Sequence, residues 1–199
     1  MCYSLQASIY AFSIGTLLSL GLFIAKTNTD SKIIGSFFLF VTLMQLFDAY
    51  FWITPNNAAV SKVASLFNHA QPLVLALLIF IYKDDLSKRS KVAVALYIIV
   101  ISLYSISVWD KIGNTKPLQN GSLNWSWNHG PFAEIVYIVF LGTMVLLLYD
   151  NLSPKVGILS SVIAIVSFAA SVAIYNGAKS VGRFWCWFAC FIPLLFYFV

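Results

Sequence analysis

Residues 60–82 read VSKVASLFNHAQPLVLALLIFIY. The run is long enough to cross a bilayer, because a helix rises 1.5 Å per residue and the hydrocarbon core is about 30 Å thick. Its second half, residues 73–80, is uninterrupted hydrocarbon, yet its middle holds Asn68, His69, Gln71 and Pro72. The length predicts a spanning helix, and the middle predicts that this helix is opened. Pro72 has no N–H to offer the carbonyl of Asn68. A carbonyl freed in hydrocarbon needs water, a side chain or a ligand in its place.

Six more apolar runs of similar length surround this one, at residues 5–25, 33–53, 92–109, 131–149, 156–175 and 181–199. The chain is 60% hydrophobic and 10% charged, whereas a soluble domain is about 45–50% apolar and about 25% charged. The expected fold is all-α: one transmembrane domain over residues 1–199, a bundle of seven transmembrane helices, with the lipid bilayer as its solvent. The runs do not alternate with period two, which argues against a barrel. No internal repeat of the kind that builds many transporters is visible. The first run has no basic flank and is long enough to span, so it reads as a helix and not as a signal peptide. The one long connection, 110–130, is rich in Asn, Gly and Trp and reads as an interfacial lid.

The net charge of +5 comes from lysines and arginines scattered through short loops, with no basic stripe, so a nucleic-acid partner is not expected. The cluster Lys83, Lys88, Arg89 and Lys91 tips the loop balance, and the positive-inside rule then places the N-terminus outside and the C-terminus in the cytoplasm. Two glycosylation triplets, starting at Asn120 and Asn124, fall in the long outer loop, in agreement with that orientation.

Ionisable groups inside a span are costly and usually face a bundle interior. Asp48 and Glu134 are the acids within the predicted spans, and His69 is the histidine. Asp48 falls about 8 Å and His69 about 14 Å from the same face of the membrane, at 1.5 Å per residue. Gln45, Asp48 and Trp52 form one stripe at i, i+3 and i+7. Glu134 is within a turn of its helix end, with His129 just before it. Cys2 opens the first helix and Cys186 lies about a turn into the seventh. All belong to the half of the membrane nearest the N-terminus. The candidate ligand-binding set is therefore Gln45, Asp48, Asn68, His69, Gln71, Glu134 and His129. A catalytic metal wants about three protein ligands and an open position, which Asp48, His69, Cys2 and Cys186 could supply. Structural readings stand beside these: a buried Asp48–His69 pair, Glu134 complementing a helix dipole, Gln45 and Gln71 joining helices, and His129 in solvent. No cofactor signature is present.

The chain resembles a family of uncharacterised small polytopic membrane proteins found in bacteria and in large DNA viruses of eukaryotes. The resemblance rests on Met1-Cys2-Tyr3-Ser4, Met44-Gln45-Leu46-Phe47-Asp48, His69-Ala70-Gln71-Pro72, Trp127-Asn128-His129-Gly130-Pro131 and Arg183-Phe184-Trp185-Cys186-Trp187. It spans the chain as short matches separated by variable apolar sequence. It implies a seven-helix bundle and brings no activity with it. Asp48 departs from the pattern, because the family more often carries Glu there, and the departure shortens the carboxylate's reach by a methylene.

Three function classes follow. One is binding or transport of an ion or small molecule in the polar half of the bundle. Another is a metal-assisted membrane lipid hydrolase, although the i,i+4 histidine pair of seven-helix zinc hydrolases is replaced by Cys186 and Cys190. The remaining one is a structural protein of a viral or cellular membrane. A retinal photoreceptor is not expected, because residues 184–199 contain no Schiff-base lysine.

Overall fold

A computed structural model describes residues 4–117, 123–125, 127, 130, 132–175 and 188–198. Cys2, His129 and Cys186 lie outside the described residues. The described chain is helical: α1 (Leu5–Ala25), α2 (Thr29–Thr42), α3 (Met44–Ile53), α4 (Ala58–His69), α5 (Gln71–Lys83), α6 (Lys88–Val108), α7 (Ala133–Asn151) and α8 (Pro154–Tyr175). A short helical turn, Ile192–Leu195, and a 3-10 turn, Phe196–Phe198, follow near the C-terminus. Between α6 and α7 a two-strand antiparallel hairpin pairs Lys116 with Asn124 and Pro117 with Leu123.

Four helical units among the described residues are long and apolar enough to cross a membrane: α1, α2 with α3, α6 and α7. A fifth is formed by α4 with α5, bent by 47° at their junction. The apolar described part of α8, Pro154–Ala170, is shorter, and most of the expected seventh span falls outside the described residues. The distribution of side chains fits a membrane protein. Large aliphatic residues face outward, with Ile106 75% and Leu17 70% exposed, while Asp48 is 0% exposed. A water-soluble fold would place these groups the other way round.

Side-chain caps start several helices. The Ser4 hydroxyl accepts from Ala7 N at 3.1 Å, Asn28 Oδ1 from Ser31 N at 2.7 Å and Asn57 Oδ1 from Val60 N at 3.1 Å. Each satisfies one of the N–H groups that a helix start leaves without a partner. Apolar helices in an apolar solvent gain little from hydrophobic contact and associate through close backbone packing. Accordingly α1 turns its small face, Ser8, Ala11, Gly15 and Ser19, inward. Opposite lies Gly35 of α2, where a Cβ would stand 2.9 Å from the Ser19 carbonyl oxygen and 3.0 Å from Phe23 N. The C-terminal turn closes onto the same helix, with Tyr197 Oη donating to the Leu18 carbonyl at 2.9 Å.

A polar belt ties the helix ends remote from the α3–α4 connection. Lys83 at the end of α5 pairs with Asp30 of α2 at 2.7 Å and donates to the Asn151 carbonyl of α7 at 2.5 Å. The second Asp30 oxygen accepts from Ser153 N at 2.7 Å. Asn151 in turn accepts from Ser87 N at 2.9 Å and donates to Ser90 Oγ at 2.8 Å, which binds the start of α6.

These contacts predict opposite effects for two glycine-to-alanine changes. Gly35→Ala forces α1 and α2 apart and is expected to cost about 1–3 kcal/mol, as overpacking does. Gly142→Ala, where a Cβ meets nothing within 4 Å, is expected to stabilise by about 0.5–1 kcal/mol through helix propensity. Unfolding of the purified protein in detergent, followed by circular dichroism, measures both; equal shifts of one sign would contradict the α1–α2 contact.

Candidate functional site at two aligned helix breaks

Both long units that meet at the α3–α4 turn are interrupted at matching distances from it. In the first, α2 passes to α3 at Leu43; in the second, α4 passes to α5 at Ala70. At 1.5 Å per residue the interruptions stand about 15 Å and about 18 Å from the turn. Polar residues flank each of them in the chain. Gln45 and Asp48 of α3, His69 at the end of α4 and Gln71 at the start of α5 are all buried, and Asn68 is half-buried.

Hydroxyl groups partner carbonyls at each interruption. Leu43 N bonds to the Phe40 carbonyl at 3.2 Å, a tightened i−3 turn. The Leu39 carbonyl, which a regular helix would pair with Leu43, accepts from Thr42 Oγ1 at 2.9 Å. At the second interruption Pro72 removes the donor for Asn68, and the next carbonyl, that of His69, accepts from Tyr97 Oη of α6 at 2.6 Å. The expectation that Pro72 opens the backbone therefore holds, and α6 supplies the tertiary donor at the adjoining carbonyl.

The chemistry of α4 runs inward. Its buried residues are Ser61, Ala64, Ser65 and His69, nearly one stripe at i, i+3, i+4 and i+8. The His69 ring meets Tyr104 edge-on, centroids 6.1 Å apart, and Trp127 likewise at 6.4 Å. Trp127 leans on Trp125 at 4.2 Å, and Trp125 meets Phe51 of α3 edge-on at 5.3 Å. An aromatic chain thus joins the Asp48 helix to His69. The long connection does more than cover the bundle as a lid. Trp125 and Trp127 are buried, Tyr104 Oη donates to the Trp127 carbonyl, and Ser61 bonds both the Ile112 carbonyl and the Thr115 hydroxyl. The described parts of the segment thus pack against α3, α4 and α6.

Several buried polar atoms here have no hydrogen-bond partner among the described residues: Ser65 Oγ, Trp52 Nε1, Gln71 Oε1 and His69 Nδ1. Gln71 does donate to Asn68 Oδ1, at 3.3 Å. Natural proteins leave few such atoms unpaired, and those they leave commonly face water, an ion or a ligand. A void of about 20 Å³ opens beside His69, lined also by Asn68, Tyr104, Trp127 and Tyr137. A wider cleft of about 440 Å³ lies at the opposite end of the helices, by Asp30, Lys83 and Ser153. Its charges already bind each other, so size alone does not make it the better site.

The predicted residues divide. Gln45, Asp48, Asn68, His69 and Gln71 come to the two interruptions. Glu134 stands exposed in the first turn of α7 and does not join them. His129, Cys2 and Cys186 lie outside the described residues. Among the described residues no three of His, Cys, Asp and Glu come together in a group fit for a metal ion. Sequence reasoning passed over Thr42, Tyr97 and Tyr104. A signal was available for the tyrosines, since Tyr97, Ile101, Tyr104 and Val108 form the buried stripe of α6 at i, i+4, i+7 and i+11.

Tyr97→Phe leaves the His69 carbonyl without its donor and is expected to destabilise the fold by about 1–3 kcal/mol, the usual cost of a buried orphan acceptor. Pro72→Ala lets the helix run on through the junction, so that Leu73 N reaches the His69 carbonyl and offsets part of that loss in the double variant. Detergent unfolding midpoints of the single and double variants test this; purely additive losses would show that the interruption is not held by Tyr97.

Compared with known proteins, the chain matches no family model, no curated protein and no solved structure at a significant level.

Proposed function

We propose that the protein is a multi-pass membrane protein that binds or transports an ion or small molecule where its two interrupted helices meet. Seven spans, with the N-terminus outside and the C-terminus cytoplasmic, complete this reading, as does membership of the small polytopic family it resembles. The observation that carries the proposal is the pairing of the interruptions. A bilayer tolerates irregular backbone where it is buried in protein or lines a cavity. Discontinuous helices meeting near mid-membrane are a recurrent way to build ion and solute sites, because they expose carbonyls and helix ends to the ligand. Here the interruptions at Leu43 and Ala70 bring buried Gln45, Asp48, His69 and Gln71 with them.

Asp48 is the carboxyl member of the site and suits cationic or hydrogen-donating ligands. His69 and the two glutamines supply orientable donors and acceptors. The Gln71 Oε1 and His69 Nδ1 atoms, buried without a hydrogen-bond partner among the described residues, support a ligand more than a purely structural role.

The test is ligand-dependent stability and flux in reconstituted protein. Thermal unfolding measured across protons, alkali cations, divalent cations and small polar solutes should show stabilisation by one of these classes. Asp48→Asn should weaken that effect by roughly ten-fold or more, about 1.4 kcal/mol or more of binding free energy. A wild-type protein that no class stabilises and no solute crosses, with Asp48→Asn as well folded as wild type, would sink the proposal.

A further inference from the structure

The void beside His69 narrows the proposed ligand, and the inference drawn from it rests on the binding and transport reading above. Small-molecule sites typically measure roughly 300–1,000 Å³. This void measures about 20 Å³, enough for one water molecule, which needs about 10–15 Å³ by that measure. No organic solute fits it without movement of the helices. Its polar wall is formed by the His69 ring with the Asn68, Tyr104 and Tyr137 side chains, and the rest is carbon. His69 is only 9% exposed, and its Nδ1 finds no hydrogen-bond partner among the described residues. The ring thus lines a water-sized space and carries a buried nitrogen that can give or accept a proton.

We propose that the void is a proton-loading site, in which one water molecule, held among His69, Asn68 and Tyr104, passes protons to and from His69 Nδ1. In the Nε2–H tautomer Nδ1 is the acceptor. A proton arriving as hydronium is transferred as one of its O–H bonds breaks and an Nδ1–H bond forms. Water is left behind, the ring becomes imidazolium, and the net change is uptake of one proton and one positive charge from the aqueous phase. Histidine suits this task, because one ring nitrogen can accept a proton while the other keeps its own.

Among the described residues the titratable groups around the ring are few. Tyr104 and Tyr137 border the void from α6 and α7 and Tyr97 of α6 holds the His69 carbonyl, whereas Asp48, the buried acid of α3, does not line it. Lysine and arginine do not line it. Trp127 also lines the void, and its ring packs on both His69 and Trp125.

The experiment uses the full chain in lipid. Ring ¹⁵N spectra of histidine-labelled protein in nanodiscs, recorded from acid to neutral pH, should show one imidazole that titrates and that is missing from His69→Gln. Liposomes loaded with a pH-sensitive dye should acidify under an imposed potential, and His69→Gln should slow this by roughly ten-fold or more. Circular dichroism checks that the variant is folded. If the variant misfolds, Tyr104→Phe, which removes one group facing the water but keeps the ring, should slow acidification and shift the His69 titration. A His69 ring that keeps one protonation state throughout, or a folded His69→Gln that carries protons as fast as wild type, overturns the inference. Should wild type then still accumulate a tracer cation or solute, the wider transport reading stands without the proton site. Should nothing bind or move, both fall.

Discussion

The requirement that governs this molecule is that backbone carbonyls opened in an apolar surround must find donors. A continuous helix meets the requirement by itself, and in hydrocarbon each unmet group costs several kcal/mol. Here the α4–α5 unit is bent by 47° at its junction, the neighbouring α2–α3 unit carries a tightened turn at Leu43, and at each a hydroxyl bonds a carbonyl. Thr42 serves Leu39 within its own turn, and Tyr97 reaches from α6 to the His69 carbonyl. That second bond sets where α6 must stand. Once α6 is placed, Tyr104 meets both the His69 ring and the Trp127 carbonyl, so the long connection is drawn into the bundle.

The rest of the bundle is organised to hold that opened level. On one side α1 and α2 approach through Gly15, Ser19 and Gly35, a contact that dispersion and close fit can sustain without a hydrophobic driving force. At the remote end Asp30, Lys83, Asn151 and Ser153 bind the termini of α2, α5, α7 and α8 together. Asp30 accepts at the start of α8 while it occupies the first turn of α2, where a negative charge also complements the helix dipole. A bound end and an opened middle divide the labour: the remote end is held by paired charges and hydrogen bonds, while Ser65, His69 and Gln71 near the α4–α5 junction keep atoms without a partner among the described residues.

That contrast is also what separates the His69 region from the larger cleft. The cleft beside Lys83 is wide, but its cation and anion are mutually satisfied. The void beside His69 is narrow, yet it borders an acceptor without a donor. Chemical vacancy, more than volume, marks a place built to receive something, because a buried polar atom without a partner is destabilising until one arrives.

Much of this was legible in the amino-acid order. Apolar length located the helical units, and the described ones begin and end within a few residues of their expected limits, although the runs 33–53 and 60–82 each hold two helices. The polar level was legible as well: Pro72 announces a lost hydrogen bond, and Gln45 and Asp48 share a helical face. Glu134 was placed by the same depth argument and stands exposed, because depth fixes the level of a residue and leaves its rotation about the helix axis open. The discontinuity at Leu43 had no proline or glycine to announce it; it depends on a threonine whose hydroxyl competes for a carbonyl. The sequence by itself determined which segments are helical, which of them are apolar enough to span, and where hydrogen bonds must fail. The tertiary structure alone decided which side chains repair those failures, since Tyr97 and Trp127 are distant in the chain and reach His69 only when α6 and the long connection pack against α4.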